Sequence, residues 1–65
     1  MNNKLSKEFY DKNALVKAIR DYKNLASISL SEDEQYYYYE VQSSRYDVIL
    51  VANEFENYVL GLMNS

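Results

Sequence analysis

The fold of this chain is decided by residues 26–42, which read ASISLSEDEQYYYYEVQ. Over residues 26–31, small or aliphatic residues alternate with serine, which is typical of a strand with one buried face. The acidic residues 32–34 then predict a turn, and a second strand follows from Gln35 to Gln42 with four consecutive tyrosines. The whole segment therefore predicts a β-hairpin.

Val41 indicates which face of the hairpin is buried. Successive side chains of a strand point to opposite faces, so Tyr37 and Tyr39 share the face of Val41. We expect this face to lie against the core. The opposite face then carries the candidate partner-binding residues, which are Ser27, Ser29, Tyr36, Tyr38 and Glu40.

Two interpretations of this exposed face remain open. Tyrosine supplies a large contact area at a low cost in conformational entropy, and serine adds adaptable hydrogen bonds, so the face favours binding to a peptide or protein. Alternatively, tyrosine has a high β-propensity and pairs well across strands without any ligand. The strand over residues 35–42 is also expected to lie at an edge of the sheet, where a partner strand can pair with it.

The segment before the hairpin predicts a strand and a helix. Leu5 and Phe9 are separated by polar residues, which favours a strand over residues 4–10. Asp11 offers an N-cap oxygen for a helix over residues 11–23, whose apolar residues recur at helical spacing. The basic residues of that helix surround Val16 and are interpreted either as solvated charges or as a docking surface for an acidic partner.

The segment after the hairpin predicts a second helix. Ser43 or Ser44 is expected to cap it, with Asp47 in its first turn. The helix then carries the strongest periodic signal in the chain, an apolar stripe of Val48, Val51, Ala52, Phe55, Tyr58, Val59 and Leu62. The element order is thus β-α-β-β-α. It predicts an α+β fold with two helices packed on one face of a small sheet, in a single domain over residues 1–65.

Composition limits the classes of function that the chain can have. A chain of 65 residues without Cys or His has no disulfide, and it offers neither of these residues for nucleophilic, acid–base or metal-binding roles. Carboxylates and tyrosines can act as acids or bases, but a chain of this size has little volume for a pocket that excludes water. We therefore predict no catalytic residues, no metal and no cofactor; the acidic turn lacks the spacing of a calcium loop. The net charge of −3 argues against nucleic acid as a partner. The longest apolar run, residues 48–52, is too short to span a membrane, and a cytoplasmic location is expected.

Two stretches of the sequence resemble the HxsD-like family, as a diverged match. The first runs from Phe9 to Tyr22 and resembles the opening strand-to-helix region of that family. The second, residues 54–60, resembles its closing helix motif, and its motif residues here are Phe55, Asn57, Tyr58 and Leu60. No catalytic residue is carried over by this resemblance.

The resemblance implies a small accessory protein of a radical SAM system that modifies ribosomally made peptides. Such a protein would bind the radical SAM maturase, the precursor peptide, or both. Because this chain has no cysteine, it would not hold an iron–sulfur cluster. The alternatives are a self-associating structural module, most simply a homodimer that buries this same serine–tyrosine face and has no peptide ligand, and a small subunit that contributes an acid or base to the site of a partner enzyme.

Overall fold

The computed structural model describes residues 2–64, so Met1 and Ser65, the ends of the predicted domain, lie outside the described residues. The elements follow the predicted order β-α-β-β-α, which confirms the α+β class. Their bounds are β1 Asn2–Ser6, α1 Lys12–Asp21, β2 Ala26–Glu32, β3 Tyr36–Ser44 and α2 Val48–Met63.

The predicted hairpin is formed by β2 and β3, which pair antiparallel. Its turn is closed by the Asp33 carboxylate, which accepts hydrogen bonds from the amides of Gln35 at 2.9 Å and Tyr36 at 2.8 Å. A side chain that bonds to the backbone two residues on can replace an Asn-Gly turn. The register shifts between Ser27 and Ile28, which leaves Gln42 as an extra residue in β3.

The position of β3 corrects the prediction that this strand lies at an edge. The order of the sheet is β1-β3-β2, so β3 is the central strand and pairs antiparallel with both neighbours. Its backbone is therefore already hydrogen-bonded on both sides, and an added partner strand can pair only with β1 or β2. The predicted mode of strand addition at β3 is wrong.

The first strand ends earlier than residues 4–10 predict. The carbonyl of Ser6 accepts hydrogen bonds from the amides of Phe9 and Tyr10, both at 3.1 Å, which turns the chain away from the sheet. Phe9 consequently lies outside β1 and is 68% exposed. Only Leu5 of the apolar pair that led to this prediction is buried.

An aspartate caps the N-terminus of each helix. Asp11 caps α1, as predicted, by accepting a hydrogen bond from the amide of Ala14 at 3.1 Å. Asp47 caps α2 by accepting from the amides of Ile49 at 2.9 Å and Leu50 at 3.2 Å. The predicted caps Ser43 and Ser44 are wrong, because both serines belong to the end of β3.

One core joins the helices to a single face of the sheet. Tyr37, Tyr39 and Val41 are buried, which confirms the predicted inward face of β3. The largest fully buried side chains of this core are Tyr39, Phe55, Leu15 and Val59. Within residues 2–64, no helix is both long and apolar enough to cross a membrane.

Candidate protein-binding surface

The face of the sheet opposite the core carries all five residues that were predicted as a contact surface. We call this surface the tyrosine face. Its members here are Lys4, Ser27, Ser29, Tyr36, Tyr38, Glu40 and Gln42. Because α1 and α2 both pack on the core side, no element of residues 2–64 covers the tyrosine face. Tyr36 and Tyr38 are only partly buried and remain accessible.

The two tyrosine rings are held in place by their neighbours. The rings of Tyr36 and Tyr38 lie 6.3 Å apart, measured between centroids, and are tilted by 50°. The Lys4 Nζ atom lies 4.0 Å from the centroid of the Tyr36 ring, within the range of a cation–π contact. The Tyr38 hydroxyl donates a hydrogen bond to Asp33 Oδ2 at 2.6 Å. The rings are therefore ordered before any partner arrives, which lowers the entropic cost of binding.

The bond between Tyr38 and Asp33 also fixes the ionisation of both groups. Hydrogen bonds from Tyr38 and from the amides of Gln35 and Tyr36 lower the pKa of Asp33. The same bond raises the pKa of Tyr38. At neutral pH, Tyr38 is therefore a neutral donor and Asp33 a charged acceptor.

A polar row continues the surface beside the rings. Gln42 Nε2 donates hydrogen bonds to Ser29 Oγ at 3.1 Å and to Glu40 Oε1 at 2.8 Å. Gln42 lies on the same face as Glu40 because the two residues are two apart in β3, and Ser29 pairs directly with Glu40. The structure thus unites aromatic rings, hydroxyl groups, an amide and charges of both signs on one flat surface.

Three contributors to this surface were not found from the sequence: Lys4, Asp33 and Gln42. The sequence places Asp33 in a polar turn, and the structure adds its bond to Tyr38; aspartate is a common residue in turns that bond to their own backbone. The contact of Lys4 depends on pairing between β1 and β3, which leaves no local signal in the sequence. Gln42, in contrast, could have been found, because the alternation that assigns Glu40 to this face also assigns Gln42 to it.

The residues of the family motif do not belong to this surface. Phe55 is fully buried, and its ring centroid lies 5.0 Å from that of Tyr39 and 5.7 Å from that of Tyr22. The Tyr58 hydroxyl donates a hydrogen bond to Asp21 Oδ2 at 2.6 Å and links the two helices. Asn57 and Leu60 are exposed on α2, on the other side of the sheet. The structure therefore gives Phe55 and Tyr58 packing roles.

The acidic turn does not gather its carboxylates at one point. Glu32 forms ion pairs with Lys7 at 2.7 Å and Lys12 at 2.5 Å, whereas Asp33 accepts from Tyr38. Hydrogen bonds from Lys12 and Lys7 lower the pKa of Glu32. In residues 2–64 there is no group of three or more Asp, Glu, His or Cys side chains placed to hold a metal ion.

No family model, no curated protein and no solved structure matches this chain.

Proposed function

We propose that this chain is an accessory protein that binds another polypeptide through its tyrosine face. The observation that carries the proposal is the pair of ordered, accessible rings of Tyr36 and Tyr38 on a sheet face that residues 2–64 leave uncovered. Ordered tyrosines among serine, glutamine and mixed charges form a surface that suits peptide and protein contacts.

The charges on the tyrosine face favour a polypeptide over a polyanion. Lys4 and Glu40 carry opposite charges, and the chain as a whole is negative, with a net charge of −3. A nucleic-acid backbone requires a clustered excess of basic residues, which this surface lacks among its described side chains. Rings with hydroxyl groups instead provide apolar contact together with hydrogen bonds.

The identity of the partner in this proposal comes from the sequence resemblance to the HxsD-like family. It is a radical SAM maturase, its ribosomally made precursor peptide, or both, and the chain presents one to the other. The maturase supplies the iron–sulfur chemistry, since this chain has no cysteine. The proposal keeps the cytoplasmic location expected from the sequence.

The test compares a variant of the tyrosine face with a matched control. Tyr36→Thr combined with Tyr38→Thr removes both rings, while the β-branched threonine keeps a high strand propensity. Phe9→Ser is the matched control; it removes another exposed aromatic ring, which is 68% exposed and lies beyond the end of β1. Each tagged variant is used to recover partners from an extract of the source cells, with mass spectrometry as the readout and circular dichroism as the check on folding.

We expect the parent chain and Phe9→Ser to recover a radical SAM enzyme or a short precursor peptide. Loss of two aromatic anchors costs roughly 2 kcal/mol or more, so the double variant should recover at least about 10-fold less. Equal recovery by all three chains would reject the tyrosine face as the contact. Recovery of neither class of partner by the parent would reject the maturation role.

A further inference from the structure

A second exposed surface lies where the residues that follow α1 meet the start of α2. The side chains of Leu25, Tyr46 and Leu50 are exposed by 42%, 60% and 57%. Together with Tyr22, Val51 and Glu54 they line a shallow, mainly apolar cleft of about 220 Å³. We call it the α2 cleft. Large apolar side chains that cluster in this way usually mark a contact surface, whereas single exposed ones need no explanation.

Charges of opposite sign flank the α2 cleft. Lys23 and Arg45 lie beside Leu25 in the adjoining surface depression, and Glu54 lies on the wall of the cleft itself. None of these three side chains forms an ion pair within the part of the chain from residue 2 to residue 64. The surface therefore has a basic side at the Leu25 edge of the cleft, and an acidic side at Glu54 on the cleft wall.

We propose that the α2 cleft is the interface of a homodimer. In a twofold arrangement the same patch meets itself, so the basic side of each copy faces the acidic side of the other. Lys23 and Arg45 of one copy then lie against Glu54 of its partner, while the apolar residues of both clefts are buried together. The pattern of charges suits a second copy of this chain, because it is complementary to itself.

The size of the chain supports the same occupant. A domain of 65 residues buries a small core and gains much from a surface that extends it. This interface does not include Tyr36 or Tyr38 of the tyrosine face, although Ser27 lines the depression that holds Lys23 and Arg45. A dimer would consequently present two tyrosine faces, and the proposal does not depend on which partner binds to them.

The first test uses two adjacent residues of equal exposure. Ile49 and Leu50 are both 57% exposed in the first turn of α2, but only Leu50 lines the cleft. Neighbouring helical residues point about 100° apart, so Ile49→Glu is a matched control for Leu50→Glu. Sedimentation equilibrium is measured over roughly 10 to 500 µM, the range in which small interfaces dissociate. We expect a dimer for the parent and Ile49→Glu, and a monomer for Leu50→Glu.

The second test exchanges charges. One variant carries Glu54→Lys, and the other carries both Lys23→Glu and Arg45→Glu. Each variant by itself should self-associate about 10-fold more weakly than the parent, because like charges then face each other across the interface. When the two variants are mixed, opposite charges meet again and a heterodimer should form with an affinity near that of the parent. Since both variants keep a negative net charge, general attraction cannot produce this recovery.

Three results would overturn the homodimer: a monomeric parent over the whole range, a Leu50→Glu variant that dimerises like the parent, or a mixture that associates no better than its components. A monomeric parent whose Leu50→Glu variant loses a purified maturase would assign the cleft to that enzyme instead. The double tyrosine variant should still dimerise, so this proposal and the tyrosine-face proposal fail independently.

Discussion

Tyr39 brings a hydroxyl group into the centre of the core. Its side chain is 1% exposed, and the hydroxyl donates a hydrogen bond to the carboxylate of Glu56 on α2. Burial, followed by this hydrogen bond, raises the pKa of Tyr39 well above its usual value. Tyr39 is therefore neutral at any physiological pH and ties the central strand to the second helix.

The Tyr39 hydroxyl can be tested against a neighbouring tyrosine. Tyr39→Phe should lower the free energy of unfolding by about 1–2 kcal/mol, because it leaves the Glu56 carboxylate without its donor. Tyr37→Phe is the control: Tyr37 is 7% exposed, and its hydroxyl has no hydrogen-bond partner in residues 2–64. Its effect should stay below about 0.5 kcal/mol. Urea denaturation measures both, and equal losses would contradict a special role for the Tyr39 bond.

The faces of the four tyrosines were predictable at this scale, and their contacts were not. Alternation along a strand and the apolar Val41 were enough to assign Tyr37 and Tyr39 to the core. The ring of Tyr36, in contrast, meets Lys4, which is far away in the sequence. Such a contact follows from the register between two distant strands, on which local patterns give no information.

At the scale of elements, the start of α2 shows how strand pairing overrides a capping preference. Serine is a good N-cap, and Ser43 and Ser44 precede an apolar helix. Yet both residues pair with β2, at Ser27 and Ala26, and this pairing extends β3 to Ser44. The N-cap of α2 is therefore Asp47, a later residue that is not part of the strand.

Removal of this cap should be measurable. Asp47→Ala deprives the amides of Ile49 and Leu50 of their acceptor and should lower the free energy of unfolding by about 1 kcal/mol. Ser43→Ala, at an exposed position of β3, should change it by less than about 0.5 kcal/mol. Thermal denaturation of the two variants measures both losses of stability. A larger loss for Ser43→Ala than for Asp47→Ala would contradict the assignment of Asp47 as the N-cap.

The order of the strands in the sheet could likewise not be predicted from local sequence patterns. Hairpin signals show which strands are joined by a short turn, and they predicted the pairing of β2 with β3 correctly. They do not show where a strand from another part of the chain is added. Here β1 pairs with the free side of β3, so the strand that the sequence placed at an edge is the central one.

At the scale of the whole molecule, carboxylates limit the stability of the fold at low pH and tyrosines limit it at high pH. Hydrogen bonds from Lys12 and Lys7 lower the pKa of Glu32, one from Tyr38 lowers that of Asp33, and one from Tyr58 lowers that of Asp21. A carboxylate with a lowered pKa stabilises the fold above its unfolded pKa, and this contribution is lost as the pH falls through the folded pKa. A tyrosine with a raised pKa stabilises the fold at low pH, and this contribution is lost as the pH rises through the folded pKa.

We therefore expect the midpoint of urea denaturation to be highest between about pH 5 and pH 9, and to fall below about pH 4 and above about pH 10. The fall of this midpoint at low pH, which we call the acid limb, should become shallower in a variant that combines Glu32→Gln with Asp33→Asn. That variant lacks two of the carboxylates with a lowered pKa. Fluorescence-monitored titrations of both chains give the comparison. An acid limb of unchanged steepness in the variant would assign the acid sensitivity to other groups.

The central place of β3 also sets the order in which the sheet assembles and opens. The β2–β3 hairpin closes a short turn, whereas β1 must reach β3 across residues 7–35, at a greater cost in loop entropy. β1 should therefore dock late and detach first, carrying Lys4 away from Tyr36. A partner on the tyrosine face would hold β1 in place, so slower hydrogen exchange of the β1 amides would report that the surface is occupied.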